Sequence, residues 1–469
     1  MRTFTLPILV AAILVGTCVG QTVLGSNVVQ SVSAQVDSPS IIDATVFTGT
    51  DMCQKINNAI TTVITSPAPV TIDARGFTGM QNCGSNPFGI NSQNLVNAAA
   101  YTGRLLLGGV TINTSVQWTM PNQYFWIEGI AMANVSSTGT VIKATSNFNC
   151  NSTGAISVNV ASPVLVGCPV VFISGTGFST QAYDSLGTGI RNLTIDCSSL
   201  SGCIGAGAFD VQEGGGIDTV GFINQNKACV VFDTAEVHVG GATGVSNPFL
   251  RNIDCVFMAT PSNTAIGIYV NAQDGPAEIS NTTVAVPGAT VPISSCLDLN
   301  GGRGTNVNYF HCEHANTAEI IGDSNLVHDV TINGLTASAT PLGVWLKNTG
   351  DYDITVHSVE LEPTSPLTGV LTDAVNSVTI TANNVAQYVM NQNGTVFTTD
   401  PGTPSFIPLA RFNQARLTGF TLSQLLVLNP PGGSVAYCSD CRPNSGTNGC
   451  SSGGTGALAL RTNLNWYCK

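Results

Sequence analysis

A short apolar alternation recurs from about residue 190 onward, and this recurrence limits the folds open to the chain. Asn192-Leu193-Thr194-Ile195, Asn252-Ile253-Asp254-Cys255 and Asn306-Val307-Asn308-Tyr309 begin the series. Asp329-Val330-Thr331-Ile332, Asp353-Ile354-Thr355-Val356 and Ser377-Val378-Thr379-Ile380 continue it. Val307 to Val330 is 23 residues, and the next two steps, to Ile354 and Val378, are 24 each. Earlier steps are longer, with Leu193 to Val220 at 27 and Val220 to Ile253 at 33. A second short apolar strand lies inside each repeat, as at Ala228 to Asp233, Gly267 to Val270, Cys296 to Asn300, Ala318 to Gly322 and Gly343 to Lys347. Two or three strands with their turns fill such a repeat and leave no room for an amphipathic helix, which argues against a doubly wound α/β sheet. A propeller blade needs about 40 residues. The remaining solution is all-β: a right-handed single-stranded parallel β-helix, each repeat stacking its strands on the next.

The position before the main strand holds Asn192, Asn252, Asn281, Asn306, Asp329 and Asp353. Stacking at about 4.8 Å would make these a ladder in which side-chain amides bond one another and the turn backbone. Asp329 and Asp353 are alternatively a carboxylate pair, two like charges of which one has a raised pKa or binds a cation.

The ends differ from the middle. Residues 1–20 carry Arg2 and an apolar run from Leu6 to Val15, the pattern of a secretory signal, with cleavage after Gly20 or, alternatively, Ala34. No later run reaches 18 apolar residues, so no membrane span is expected. Residues 21–42 form a linker and residues 43–398 the coil with its cap. Asp51 caps a helix over Met52 to Ile60, with Gln54 three residues on, and this helix would cover the apolar end of the coil. Residues 399–469 hold a Pro- and Thr-rich connection, a short strand at Leu422 to Leu428 and a cysteine-rich tail. Export leaves 14 cysteines and favours disulfides. Cys53 with Cys83, Cys150 with Cys168, and Cys197 with Cys203 are the first pairings expected. Cys438, Cys441, Cys450 and Cys468 form the tail cluster, where a tetrathiolate zinc site is the alternative.

Only 9% of residues are charged, and the net charge is -12. That excludes a coiled coil and the basic footprint of a nucleic-acid binder.

The opening helix, Thr71-Ile72-Asp73-Ala74-Arg75-Gly76, Gly103-Arg104-Leu105-Leu106-Leu107-Gly108, the repeated strands and the tail Val435 to Cys441 together resemble the pectate-lyase-like superfamily of extracellular β-helix proteins. The resemblance covers most of residues 43–468. It implies a secreted or cell-surface protein with a polysaccharide substrate or ligand, and it spans lyases, hydrolases, epimerases and adhesive proteins. The Asn-Thr-Asp, Asp-Asp, Gly-His-Gly and Arg-Ile-Lys motifs of polygalacturonases do not occur here. The leading expectation is a polysaccharide-active enzyme working by acid/base chemistry in the lateral groove. The alternative is a non-catalytic glycan-binding or adhesive protein.

Glycosidic cleavage generally takes two carboxyl groups, one protonated and one ionised. Tyr309-Phe310-His311-Cys312-Glu313-His314 is the most polar strand exit. Counted from Val307 and Ile354, Glu313 and Glu360 share a phase, with Thr336 between them. Two rungs is about 9–10 Å, near the separation used by inverting glycosidases, roughly 6.5–9.5 Å. The expected catalytic residues are therefore Glu313, Glu360 and His311. Arg251, Arg191 and His314 are the expected substrate-binding residues, with the alternation Arg191, Asp218, Arg251 also readable as a structural ladder. Glu236 and His238 form a second polar pair on one strand face. Tyr124 and Trp126 share a face that serves either the core or a sugar platform. No metal set converges and no cofactor is expected; no motif supports calcium.

Overall fold

The computed structural model describes residues 40–62, 69–89, 102–121, 124–133, 138–149, 156–158, 165–173, 185–209, 211–212, 214–233, 245–272, 275–288, 291–323, 327–348, 353–362, 368–372, 378–381, 388–390, 395–397, 419–427, 435–443, 449–462 and 465–469. The proposed signal, Cys150, Glu236, His238 and the 399–413 connection lie outside them.

Two long parallel sheets build the coil. The first runs through Ser40–Asp43, Val70–Ala74, Gly103–Leu107, Phe125–Glu128, Gly189–Asp196, Gly216–Gln225, Phe249–Phe257, Glu278–Ala285, Asn306–Glu313, Thr331–Ser338, Ile354–Leu361 and Val378–Thr381. The second stacks Leu165–Phe172, Cys203–Phe209, Ala228–Asp233, Ile266–Val270, Ile293–Leu299, Ala315–Ile321, Leu342–Leu346 and Thr368–Thr372 in the same direction. Each coil gives one strand to each sheet, as in Asn306–Glu313 followed by Ala315–Ile321 across the single turn residue His314. The fold is the right-handed parallel β-helix expected from the repeat. Its interior is one continuous apolar cluster that includes Ile279, Val307, Ile332 and Val356 from the first sheet and Ile268, Leu297 and Val344 from the second.

The seven strands of the first sheet from Gly189–Asp196 to Ile354–Leu361 bend at one place. Asn192, Thr219, Asn252, Asn281, Tyr309 and Ser358 have φ between 49° and 58°, and Gly334 has 79°. Each directly follows a register-aligned residue of the series Arg191, Asp218, Arg251, Ser280, Asn308, Asn333 and His357. A left-handed residue resets the in–out alternation, so in Asn306–Glu313 the buried residues are Val307, Phe310 and Cys312, with Asn308 and Tyr309 both outward. Each strand therefore has two limbs, and asparagine suits the bend because its side chain tolerates this region.

This bend corrects the expected ladder. Asn192, Asn252 and Asn281 share the column, and Asn281 donates to Asn252 Oδ1 at 3.3 Å. Asn306 instead aligns with Glu278, at the start of the first limb. Asp329 and Asp353 stand two residues ahead of the limb, at φ 55° and 53°, in a separate turn column with Gly187, Gly214, Asn247 and Gly304. The apolar residue used to set the phase opens the first limb in Asn306-Val307 but the second limb in Asn192-Leu193.

The helix Met52–Thr61 buries Met52, Cys53, Ile56, Ala59 and Ile60. Asp51 caps it, Oδ1 accepting from Gln54 N at 2.8 Å while Oδ2 accepts from Gly84 N at 2.9 Å. The Cys53–Cys83 disulfide joins the same two segments. Cys197–Cys203, Cys229–Cys255 and Cys296–Cys312 link strands of the two sheets or the turns beside them. Cys438–Cys441 and Cys450–Cys468 close the tail, whose strands Val435–Cys438, Ala457–Thr462 and Asn465–Cys468 form an antiparallel sheet. The strand expected at Leu422 to Leu428 is a helix, Leu422–Val427. Thr421 caps it, its N–H donating to Gln424 Oε1 at 2.8 Å, and this local bond outweighs the apolar run. Among the described residues no helix is long and apolar enough to cross a membrane.

Candidate functional site

The residues expected from sequence fall into two patches. His311, Glu313 and Glu360 stand on the outward side of the second limb. His311 lies within hydrogen-bond distance of Thr336 Oγ1 through Nδ1 at 2.8 Å and of Glu313 Oε1 through Nε2 at 3.0 Å. Register corrects the expected phase: His311 aligns with Thr336 and Thr336 with Glu360, whereas Glu313 aligns with Ser338. Glu360 thus shares a column with His311, and Glu313 stands one outward position further along. The equivalence failed because Val307 aligns with Val356, two residues beyond Ile354.

Arg191 and Arg251 occupy the first limb, on the other side of the bend. Arg191 pairs with Glu128 at 2.9 Å and lies over the Trp126 ring. Arg251 pairs with Glu278, which holds its guanidinium charged, and lies over the Phe249 ring at 4.6 Å. Arg191, Asp218 and Arg251 are successive in register. Trp126 and Phe249 reach toward each other across Gly189 and Gly216 and stack with centroids 5.9 Å apart. Trp126 is therefore outward and half-buried, and Tyr124 is 53% exposed; neither belongs to the core. His314 forms the turn between sheets at φ 58°, its N–H donating to Ser338 O at 3.1 Å.

A third cluster, absent from the sequence-based expectation, lies at the strand ends of the second sheet. Val231, Tyr269, Asp298, Ile320 and Trp345 align as one column on the face turned away from the coil interior, where all but Trp345 are buried. Asp233, Asn271, Asn300 and Lys347 follow two residues later along their strands. Asn271 Nδ2 donates to Asp233 Oδ1 at 2.8 Å, and Asn300 Nδ2 donates to the Tyr269 hydroxyl at 2.8 Å. Lys347 forms an ion pair with Asp323 and lies 5.0 Å above the Trp345 ring.

The electrostatics of this cluster separate its carboxyl groups. Asp298 is 2% exposed, and its Oδ1 has no hydrogen-bond partner. Burial, and then the charge of Asp323, push its pKa well above the usual aspartate range, against the opposing pull of Lys347. That shift favours the neutral acid at Asp298, while Asp323 has the Lys347 cation beside it. Burial and the nearby Asp233 likewise push the Tyr269 hydroxyl pKa up. Lys347, with 26% of its side chain exposed, and the half-buried Trp345 give the cluster its outer edge. The sequence signal was available: Phe232-Asp233, Val270-Asn271, Leu299-Asn300 and Leu346-Lys347 each end an apolar strand in a polar residue at one phase.

Among the described residues, the sulfur atoms of Cys441, Cys450 and Cys468 lie within 4.8 Å of one another, as do ligand atoms of Cys438, Asp440 and Cys441. The four cysteines are paired as two disulfides, which takes up the thiolates that zinc requires.

No family model matches the chain, and no curated protein matches it. Solved structures similar to it are parallel β-helix proteins. An alginate lyase from Paenibacillus sp. is 14% identical, with 68% of this chain and 99% of that chain covered and a TM-score of 0.38. Geobacillus virus E2 ORF18 is 13% identical over 92% of this chain and 76% of that one, TM-score 0.42. An exopolygalacturonase of family 28 from Yersinia enterocolitica is 11% identical over 75% and 77%, TM-score 0.32.

Proposed function

We propose that the protein is an extracellular polysaccharide-active β-helix enzyme that hydrolyses a glycosidic bond at the strand ends of the second sheet. The observation that carries this reading is the buried Asp298 carboxyl, with Oδ1 unpartnered among the described residues, near the carboxylate of Asp323 that pairs with Lys347. Acid/base cleavage uses two carboxyl groups in unlike surroundings, here one buried and one beside a cation. Asp298 gives its proton to the glycosidic oxygen as the bond from that oxygen to the anomeric carbon breaks. Asp323 takes a proton from the water that attacks that carbon, and two shorter glycans leave. Lys347 orients Asp323, and Trp345 offers a flat ring to a sugar face. The resemblance to the pectate-lyase-like superfamily supports a glycan substrate, and the disulfides fit an oxidising compartment.

The test is incubation of the mature protein with a panel of plant and microbial polysaccharides, following reducing ends and the absorbance of unsaturated uronates. New reducing ends without the absorbance, lost in Asp298→Asn, support hydrolysis at this cluster. A rise in absorbance turns the assignment to a lyase. Loss in Glu313→Gln but not in Asp298→Asn moves the site to the second limb, where His311, Glu313 and Glu360 are the proposed catalytic group, with Arg191, Arg251 and His314 binding substrate.

A second reading is a non-catalytic glycan-binding or adhesive protein. It is favoured by the flat first-limb face, where Asn306, Thr331 and Thr355 form one column and Ser280, Asn308 and Asn333 another. Glycan binding without cleavage by the folded protein would select it.

A further inference from the structure

Glu319 is an acid inside the apolar core of the coil. Ile268, Leu297, Glu319, Val344 and Val370 form one column of the second sheet, and the other four belong to the interior cluster. The Glu319 side chain is completely buried, and among the described residues neither of its carboxylate oxygens has a hydrogen-bond partner. The charged and titratable groups of the surrounding strands stand elsewhere. Asp298, Asp323 and Lys347 belong to the outward cluster. His311, Glu313, His357 and Glu360 occupy outward positions of the first sheet, and His314 sits in the turn that opens Glu319's own strand. Among the described residues no opposite charge offsets an ionised Glu319, and burial raises its pKa to about 8.

We infer that Glu319 is a pH-sensitive latch: the coil closes around its neutral acid and loosens at the strands carrying Asp298 and leading to Asp323 once that proton is lost. The physical reason is local. A bare carboxylate among Leu297, Val344 and the interior apolar side chains has no partner to bond, and it regains water only if its rung opens. The strand Ile293–Leu299 places Leu297 beside Glu319 and turns Asp298 outward, while Ala315–Ile321 runs directly to Gly322 and Asp323. The inference concerns stability and does not rest on the polysaccharide reading.

The sign follows from where the proton is held. The unfolded chain loses it near the ordinary value of 4.5, and the folded chain near 8. Stability from this group is complete below the lower value and is lost as pH rises through the upper one. Across that window the folding equilibrium constant falls by up to about tenfold per pH unit.

The test is urea unfolding of the full-length, disulfide-intact chain from about pH 4 to 9.5, wild type beside E319Q and E319M. The expected result is that the wild-type folding constant falls by at least about 100-fold relative to E319Q over this range. Parallel curves for wild type and variant would overturn the inference. E319M, apolar and of similar length, supplies the same comparison where E319Q does not fold. D298N, compared with D298N/E319Q, must show the same divergence, since Asp298 also titrates. At pH 9, peptides covering residues 293–299 and 315–321 should exchange amide hydrogens faster in wild type than in E319Q. Equal rates would overturn the local opening.

Discussion

Glu360 does not stack on Glu313: it follows His311 in one outward column, with Thr336 between them. Glu313 reaches His311 from one position further along the same strand, through a 3.0 Å contact. His311, rather than the pair of glutamates, is therefore the centre of this patch. If the second limb binds glycan, His311→Ala should weaken binding more than Glu360→Gln, because it removes the group that touches both Glu313 and Thr336. Calorimetric titration with the polysaccharide that scores in the panel checks the order.

Asp298→Asn keeps the shape of the cluster and removes its proton donor. Activity should fall by about 10²–10⁴-fold, the range of general acid catalysis. Because burial raises the Asp298 pKa, its acid form persists above the usual aspartate range and is lost as pH rises through the raised value. The pH–rate profile should therefore show an alkaline limb that belongs to Asp298. An unchanged profile in Asp298→Glu would count against that assignment.

Tyr309 occupies the left-handed bend at φ 54°, and its ring is 70% exposed. A bulky residue is strained there, while asparagine holds the same place three times elsewhere in the column. Tyr309→Asn should stabilise the chain by about 1 kcal/mol, and Asn252→Val should destabilise it by about 1–2 kcal/mol. Urea unfolding midpoints measure both.

Gly189 has no room for a side chain. A Cβ there would lie 2.2 Å from the Gly216 carbonyl oxygen and 2.6 Å from the Trp126 ring. Gly189→Ala should cost about 1–3 kcal/mol and separate the Trp126 and Phe249 rings. A change in tryptophan fluorescence should accompany the lower midpoint.

The fold was legible because a stacked coil writes its period into the sequence. Ala228–Asp233 has the strand bounds read from the apolar pattern. What the pattern hid was phase. A strand with a left-handed bend has two alternations joined out of step, so matching apolar residues from different limbs or turns shifts the comparison. A shift of two set Glu360 against Glu313, and larger shifts put Asn306, Asp329 and Asp353 in the ladder. Cys53–Cys83 and Cys197–Cys203 were among the pairings expected. Cys229–Cys255 and Cys296–Cys312 were not, because their partners meet across the interior of the coil rather than along the chain. The cluster around Asp298 stayed hidden for a different reason: neighbours in its column lie 22 to 38 residues apart in sequence, and only stacking gathers them.

A stack of near-identical rungs, each touching only its neighbours, would ordinarily come apart like a zipper from whichever end is weaker. The cross-links Cys229–Cys255 and Cys296–Cys312 stitch one wall of the tube to the other, so a front advancing from either terminus meets a stop it cannot pass while the bonds remain oxidised. Between the stops lies the strand bearing Tyr269, and Asp298 shares its strand with Cys296, whereas Asp323, Trp345 and Lys347 lie beyond the second stop, so a front from the C-terminal end loosens the Lys347–Asp323 ion pair while the strand of Asp298 is still held.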